Sequence, residues 1–150
     1  MKKIILSLFA LALILFIKPA HAQTSADYKG AEATLPHYKA VYYLDQAEPK
    51  NVEHILRNMD NALEDERLKG KVEIELVVFG DGVALYQKSS TYEQQLLDLQ
   101  KKGVILTMCS NTMKSRNIAK DSLFPFIGYV PSANGELIIR QAQGWVAVRP

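Results

Sequence analysis

The chain has 150 residues, is 48% hydrophobic and 23% charged, and carries a formal net charge of +2. No basic stripe interleaved with aromatics is present, which argues against a nucleic-acid partner. A single cysteine excludes both a zinc site of the usual kind and a disulfide within the chain.

The first 22 residues read as an export signal. Lys2 and Lys3 give a basic start, Ile4 to Ile17 an almost unbroken apolar stretch, and Ala20-His21-Ala22 the small-x-small pattern of a signal-peptidase site. The apolar stretch is short against the roughly 20 residues that a spanning helix needs, so an uncleaved anchor is the weaker alternative. Cleavage is expected after Ala22, leaving Gln23 as the new N-terminus and a periplasmic or secreted product with no membrane association. Losing Lys2, Lys3 and Lys18 takes the 18 basic residues to 15, against 16 acidic ones, a net of −1. Residues 23–36 (QTSADYKGAEATLP) are polar and aperiodic and read as a flexible leader. The remainder, 37–150, suits one domain with one core.

Residues 38–44 (YKAVYYL) are aromatic and β-branched and predict a first strand. Pro49 then opens a helix carrying Val52, Ile55, Leu56, Met59, Ala62 and Leu63 at helical spacing, with Gly70 expected to end it. Residues 71–79 (KVEIELVVF) predict the second strand, and Gly80-Asp81-Gly82 a turn. Ser90 and Glu93 match a capping box at the head of a helix closed by Gly103. Residues 104–109 (VILTMC) predict the third strand, followed by a short helix capped by Asn111 or Thr112 and running to about Lys120. Residues 126–130 (FIGYV) predict the fourth strand. Ser132 is expected to cap a helix ended by Gly144, and 145–149 (WVAVR) a last strand. Short apolar strands alternating with helices predict an α/β class, three-layer flavodoxin-like fold with a mostly parallel five-stranded sheet. No dinucleotide fingerprint or phosphate loop is present, so no cofactor is expected.

Sites in such sheets lie at the carboxyl ends of strands. There the spacing places Asp45, then Gly80, Asp81 and Gly82, then Cys109 with Ser110, Asn111 and Thr112, then Pro131 and Ser132. Cys109 is the strongest candidate, because a thiol next to a helix start can have its thiolate stabilised. Lys114 and Arg116 lie within the following turns, and Arg116 can hold an anionic adduct or partner. Backbone N–H groups near Asn111 and Thr112 can bind a sulfur or oxygen anion. A buried cysteine acting as a small hydrophobe is the competing reading. His37 and His54 have no partner at metal-ligand spacing, so no metal is expected. Trp145, Tyr129 and Phe126 are expected to pack in or around the sheet.

VEIELVVFGDGVALY (72–86), GVILTMCSNTMKSR (103–116) and GELIIRQAQGWVAVRP (135–150) together resemble the DsrE/DsrF-like proteins, in particular an exported branch of small proteins. The likeness runs from about Tyr38 to Pro150. It implies a flavodoxin-like sheet and a homo-oligomer, trimer or hexamer. In the sulfur-relay members a cysteine after the third strand carries sulfur as a persulfide, and Cys109 matches it by position, which implies an exposed, functional thiol. Two departures stand out. Those members work in the cytoplasm, whereas this chain carries an export signal. Many relatives have His where this chain has Phe79 before Gly80.

The resulting expectation is a thiol-based sulfur carrier or sulfurtransferase with Cys109 as the persulfide site and a donor or acceptor protein as partner. The alternatives are a non-catalytic oligomeric binding module with Cys109 as packing, and a redox-sensing thiol.

Overall fold

The computed structural model describes residues 27–149. The expected export signal and its expected cleavage site, the first four residues of the expected leader, and Pro150 lie outside them. Residues 27–32 contain no helix or strand. The compact unit starts at Ala33, and within it residues 33–36 precede the first strand without regular structure.

Five strands form one sheet: β1 (Tyr38–Leu44), β2 (Val72–Val78), β3 (Ile105–Cys109), β4 (Gly128–Val130) and β5 (Val146–Val148). Their order is β4-β3-β2-β1-β5, and every pairing is parallel. The helices are α1 (Pro49–Glu64), α2 (Glu93–Lys101), α3 (Ser110–Ser115) and α4 (Ala133–Ala142). Right-handed crossovers dictate the layers. The chain steps one way from β1 to β4, so α1, α2 and α3 fall on one face. It then returns across the sheet to β5, so α4 falls on the other. The architecture is the three-layer flavodoxin-like plan that the sequence predicts, with the sheet wholly parallel.

Alternation along the strands sorts the core into two clusters. Ile74, Leu76 and Val78 of β2 pack with Val52, Ile55, Leu56 and Met59 of α1 and Leu96 and Leu99 of α2. Leu76 is fully buried, and its truncation to alanine would cost about 2–5 kcal/mol. The opposite face holds a smaller cluster of Val41, Val77, Cys109, Val130, Ala133 and Trp145. Trp145 therefore packs against the sheet as expected, as does Phe126, stacked on Phe124 with centroids 5.4 Å apart.

Several local expectations are corrected. The first helix ends at Glu64, well before Gly70. The Asp65 carboxylate accepts from the Arg67 N–H at 2.9 Å, and the Asp65 carbonyl accepts from the N–H groups of Leu68 and Lys69. These bonds make a separate turn that Gly70, at φ +72, closes. The Ser90–Glu93 capping box does not form. Ser90 Oγ instead accepts from the Tyr92 N–H at 3.3 Å, and α2 begins at Glu93 itself. Gly80–Tyr86 is a 3-10 helix rather than a bare turn. The helix after β3 starts at once, with Cys109 in the cap position in place of Asn111 or Thr112. It stops at Ser115, because Asn117 adopts a left-handed φ of 52 that an α-helix cannot continue through. Ser132 does cap α4, its Oγ accepting from the Gly135 N–H at 2.9 Å.

Candidate functional site

The connection after β3 leaves toward one face and the connection after β4 toward the other. Where neighbouring connections diverge in a parallel sheet, a crevice opens at the carboxyl ends of the strands. Cys109 is the last residue of β3, Val130 opposite it the last of β4, and Ala133 the first of α4. The thiol thus sits at the topological switch point.

The Cys109 side chain points to the α4 face, packed among Val41, Val77, Val130, Ala133 and Trp145. Its residue is only 5% exposed, which corrects the expectation of an exposed thiol. Sγ accepts the Ala133 N–H at 3.3 Å. Burial alone would push the thiol up. The N–H and hydroxyl of Thr112, the N–H of Ala133 and that of Asn111 outweigh it, and the thiol lies below its usual value. The Asn111 contribution is the smallest, and its N–H is also given to Pro131 O at 3.3 Å. The arrangement stabilises a sulfur anion with neutral donors.

The Gly80–Gly82 segment serves this site from behind. The Gly80 N–H donates to Thr112 Oγ1 at 3.2 Å, leaving that hydroxyl's proton free for the sulfur. Gly82 is required by close approach: a Cβ there would meet Leu44 O at 2.5 Å, and its N–H donates to Asp45 O and Phe79 O, each at 3.0 Å. These glycines seat the end of β2 on the end of β1, and no ligand contact is needed to explain them. Asp81 and Arg116 pair with each other at 2.5 Å on the surface, so Arg116 is held rather than open for an anion. Ser110 starts α3 and is half-buried. Phe79 packs against the cluster that contains Cys109. His37, His54 and Lys114 contribute nothing to the site. Among the described residues no group of three or more His, Cys, Asp or Glu side chains gathers for a metal.

Sequence reasoning missed a polar group beneath α4. Glu75 of β2 is fully buried. Its Oε1 accepts from Thr107 Oγ1 at 2.9 Å, and Oε2 lies 2.6 Å from Arg140 Nε. That second contact is a charge pair without hydrogen-bond alignment, which leaves Oε2 unsatisfied as an acceptor. Arg140 also binds Glu136 at 2.8 Å, and its guanidinium lies 4.3 Å from the Trp145 ring centroid. Burial raises the Glu75 carboxyl, while the Thr107 hydroxyl and Arg140 pull against it. The alternating Glu73 and Glu75 of β2 look like a solvated face in sequence. Only the distant Arg140 marks the second of them as buried.

A cavity of about 640 Å³ lies elsewhere, between α1 and α2, lined by Leu56, Asp60, Leu99 and Lys102 among others. None of the candidate residues borders it. The donors that converge on a thiol are instead at the switch point.

A family model described as the DsrE/DsrF-like family matches residues 37–150. A similar solved structure is that of a protein of unknown function, MTH1491, from Methanobacterium thermoautotrophicum. It is 29% identical, with a TM-score of 0.71, and the match covers 75% of this chain and 99% of that one. A comparison with curated proteins finds no match.

Proposed function

Because the chain belongs to the DsrE/DsrF-like family, we propose that it is a thiol-based sulfur carrier with Cys109 as its persulfide site. The observation that carries this reading is the convergence of N–H and hydroxyl donors from α3 and α4 on a thiol that burial alone would keep protonated. The Cys109 thiolate attacks the sulfane sulfur of a donor. The new bond joins Sγ to that sulfur as the donor's S–S bond breaks, and the electron pair leaves with the donor's remaining thiolate. An acceptor thiolate then takes the outer sulfur and returns Cys109 to its thiolate. The exchange consumes no oxidant, no metal and no organic cofactor. With Cys109 only 5% exposed, a donor reaches the thiol only when the residues packed around it give way.

The same reading makes the protein an exported one, cleaved after Ala22, that works as a homo-oligomer, trimer or hexamer, in the periplasm or outside the cell. Support comes from the sequence of the first 22 residues and from the family resemblance.

The test is an intact mass of the mature protein before and after a polysulfide donor, with Cys109→Ser alongside. One added sulfur on the wild type alone, removed by reductant, is the expected result, and the same spectrum reads whether the chain begins at Gln23. Sulfur uptake by the serine variant would sink the assignment. A second reading, an oligomeric binding module with Cys109 as packing, is favoured by the thiol's place in an apolar cluster. It expects no sulfur uptake and a thiol that alkylates only after denaturation.

A further inference from the structure

A closed circuit of contacts runs through the buried polar group and back to the thiol. Thr107 and Cys109 lie two positions apart on β3, on the same face. The Thr107 hydroxyl donates to Glu75 at 2.9 Å. Glu75 meets Arg140 at 2.6 Å. Arg140 lies two helical turns along α4 from Ala133. Ala133 donates its N–H to Cys109 Sγ at 3.3 Å, and the circuit closes.

Every link bears on where α4 sits. The face under its first turn is apolar, with Ala133 against Val77 and Val130. Apolar contact is non-directional and fixes neither the helix's rotation nor its slide along the sheet. The charge pair at the other end does, because moving the helix would part a buried carboxylate from the Arg140 Nε that lies 2.6 Å from it, leaving its charge uncompensated. Arg140 is further confined by Glu136 at 2.8 Å and by the Trp145 ring at 4.3 Å. The Trp145 N–H returns to Arg140 O at 3.0 Å, locking ring to helix end.

We propose that Glu75 and Arg140 are positioning residues for the Cys109 sulfur: their buried pair fixes α4 so that the Ala133 N–H stays aimed at Sγ. The proposal deepens the sulfur-carrier reading and rests on it only in giving the held thiolate a use.

The experiment titrates the thiolate of the folded protein by its ultraviolet absorbance, with Cys109→Ser as the blank. The wild type is compared with Glu75→Gln, Arg140→Gln and Arg140→Lys. A single cysteine makes the signal unambiguous. If the pair acts by positioning, Glu75→Gln and Arg140→Gln both raise the titration midpoint. The expected rise is about half a pH unit for Glu75→Gln and about one unit for Arg140→Gln. These correspond to roughly three-fold and ten-fold less thiolate below the midpoint. Arg140→Lys, which keeps the charge but not the Nε that meets both carboxylates, lies between.

A direct electrostatic influence on the sulfur would move the two neutral variants in opposite directions, because one removes a negative charge and the other a positive one. Opposite shifts, or a lower melting temperature with an unmoved midpoint, overturn the proposal. Glu75→Gln keeps the side chain's shape and its bond to Thr107, so it decides the matter even where Arg140→Gln fails to fold. Sulfur loading of the wild type is scored separately. A moved midpoint with no loading overturns the carrier reading alone, whereas loading with an unmoved midpoint overturns the positioning alone.

Discussion

Oε2 of Glu75 lies 2.6 Å from Nε of Arg140, joining the middle of β2 to the last turn of α4. Removing the arginine leaves a carboxylate buried with only the Thr107 hydroxyl for company. Arg140→Leu is expected to lower the unfolding free energy by about 3–5 kcal/mol, the usual effect of breaking a buried pair from one side. Urea denaturation followed by tryptophan fluorescence measures it, since the chain's one tryptophan sits on the pair. A loss below about 1 kcal/mol, the level of an exposed pair, would mean that Glu75 reaches solvent when the arginine is gone.

The same carboxyl sets a pH dependence. Burial raises Glu75 in the folded state, so the folded protein holds its proton more tightly than the unfolded chain does. The associated stability is fully present below the ordinary carboxyl value of 4.5 and is lost as pH rises through the raised one. Glu75→Gln is expected to remove that decline. Melting temperatures taken from mildly acidic to neutral pH compare the two proteins, and parallel curves would contradict it.

Gly82→Ala tests the seating of β2 on β1. The added methyl would come within 2.5 Å of Leu44 O, a backbone atom that cannot swing aside. A destabilisation of about 1–3 kcal/mol is expected, as for overpacked sites. Because Gly80 in the same segment bonds Thr112, the thiol midpoint should rise in this variant as well. Denaturation and thiol titration on one sample check both parts.

Phe79→His places an ionisable ring in the cluster that holds Cys109. An imidazolium beside the sulfur favours the thiolate. The thiol midpoint is expected to fall, and alkylation by a small neutral reagent to quicken under mildly acidic conditions, where histidine is charged. An unchanged rate would show that position 79 does not address the sulfur.

Much of the fold was legible because its signals are local. The alternation in 72–78, the proline at 49 and the serine at 132 each act within a few residues, and strands and helices follow them. The errors arose where a local signal was outbid by a neighbour. Gly70 closes a turn nucleated by Asp65 rather than the helix before it. Ser90 is spent on Tyr92 and cannot cap from three positions away. At the site, Cys109 was found from its place at a strand end, and Thr112 from its place after it. The Ala133 N–H and the Glu75–Arg140 pair were not, because each depends on a long-range return of the chain. Strand β4 must lie beside β3 before residue 133 can approach residue 109.

That return has a bearing on synthesis. The strand nearest the start of the folded unit, β1, waits for the last strand to complete its pairing, and the sulfur waits for α4. A ribosome that has delivered only β3 has made a cysteine with none of its donors. A product truncated before residue 133 would add Thr112 and Asn111 but would lack the Ala133 donor and the helix that begins there. The full donor set around Sγ is therefore complete only in chains that have been read through α4, and a prematurely ended copy lacks the Ala133 donor.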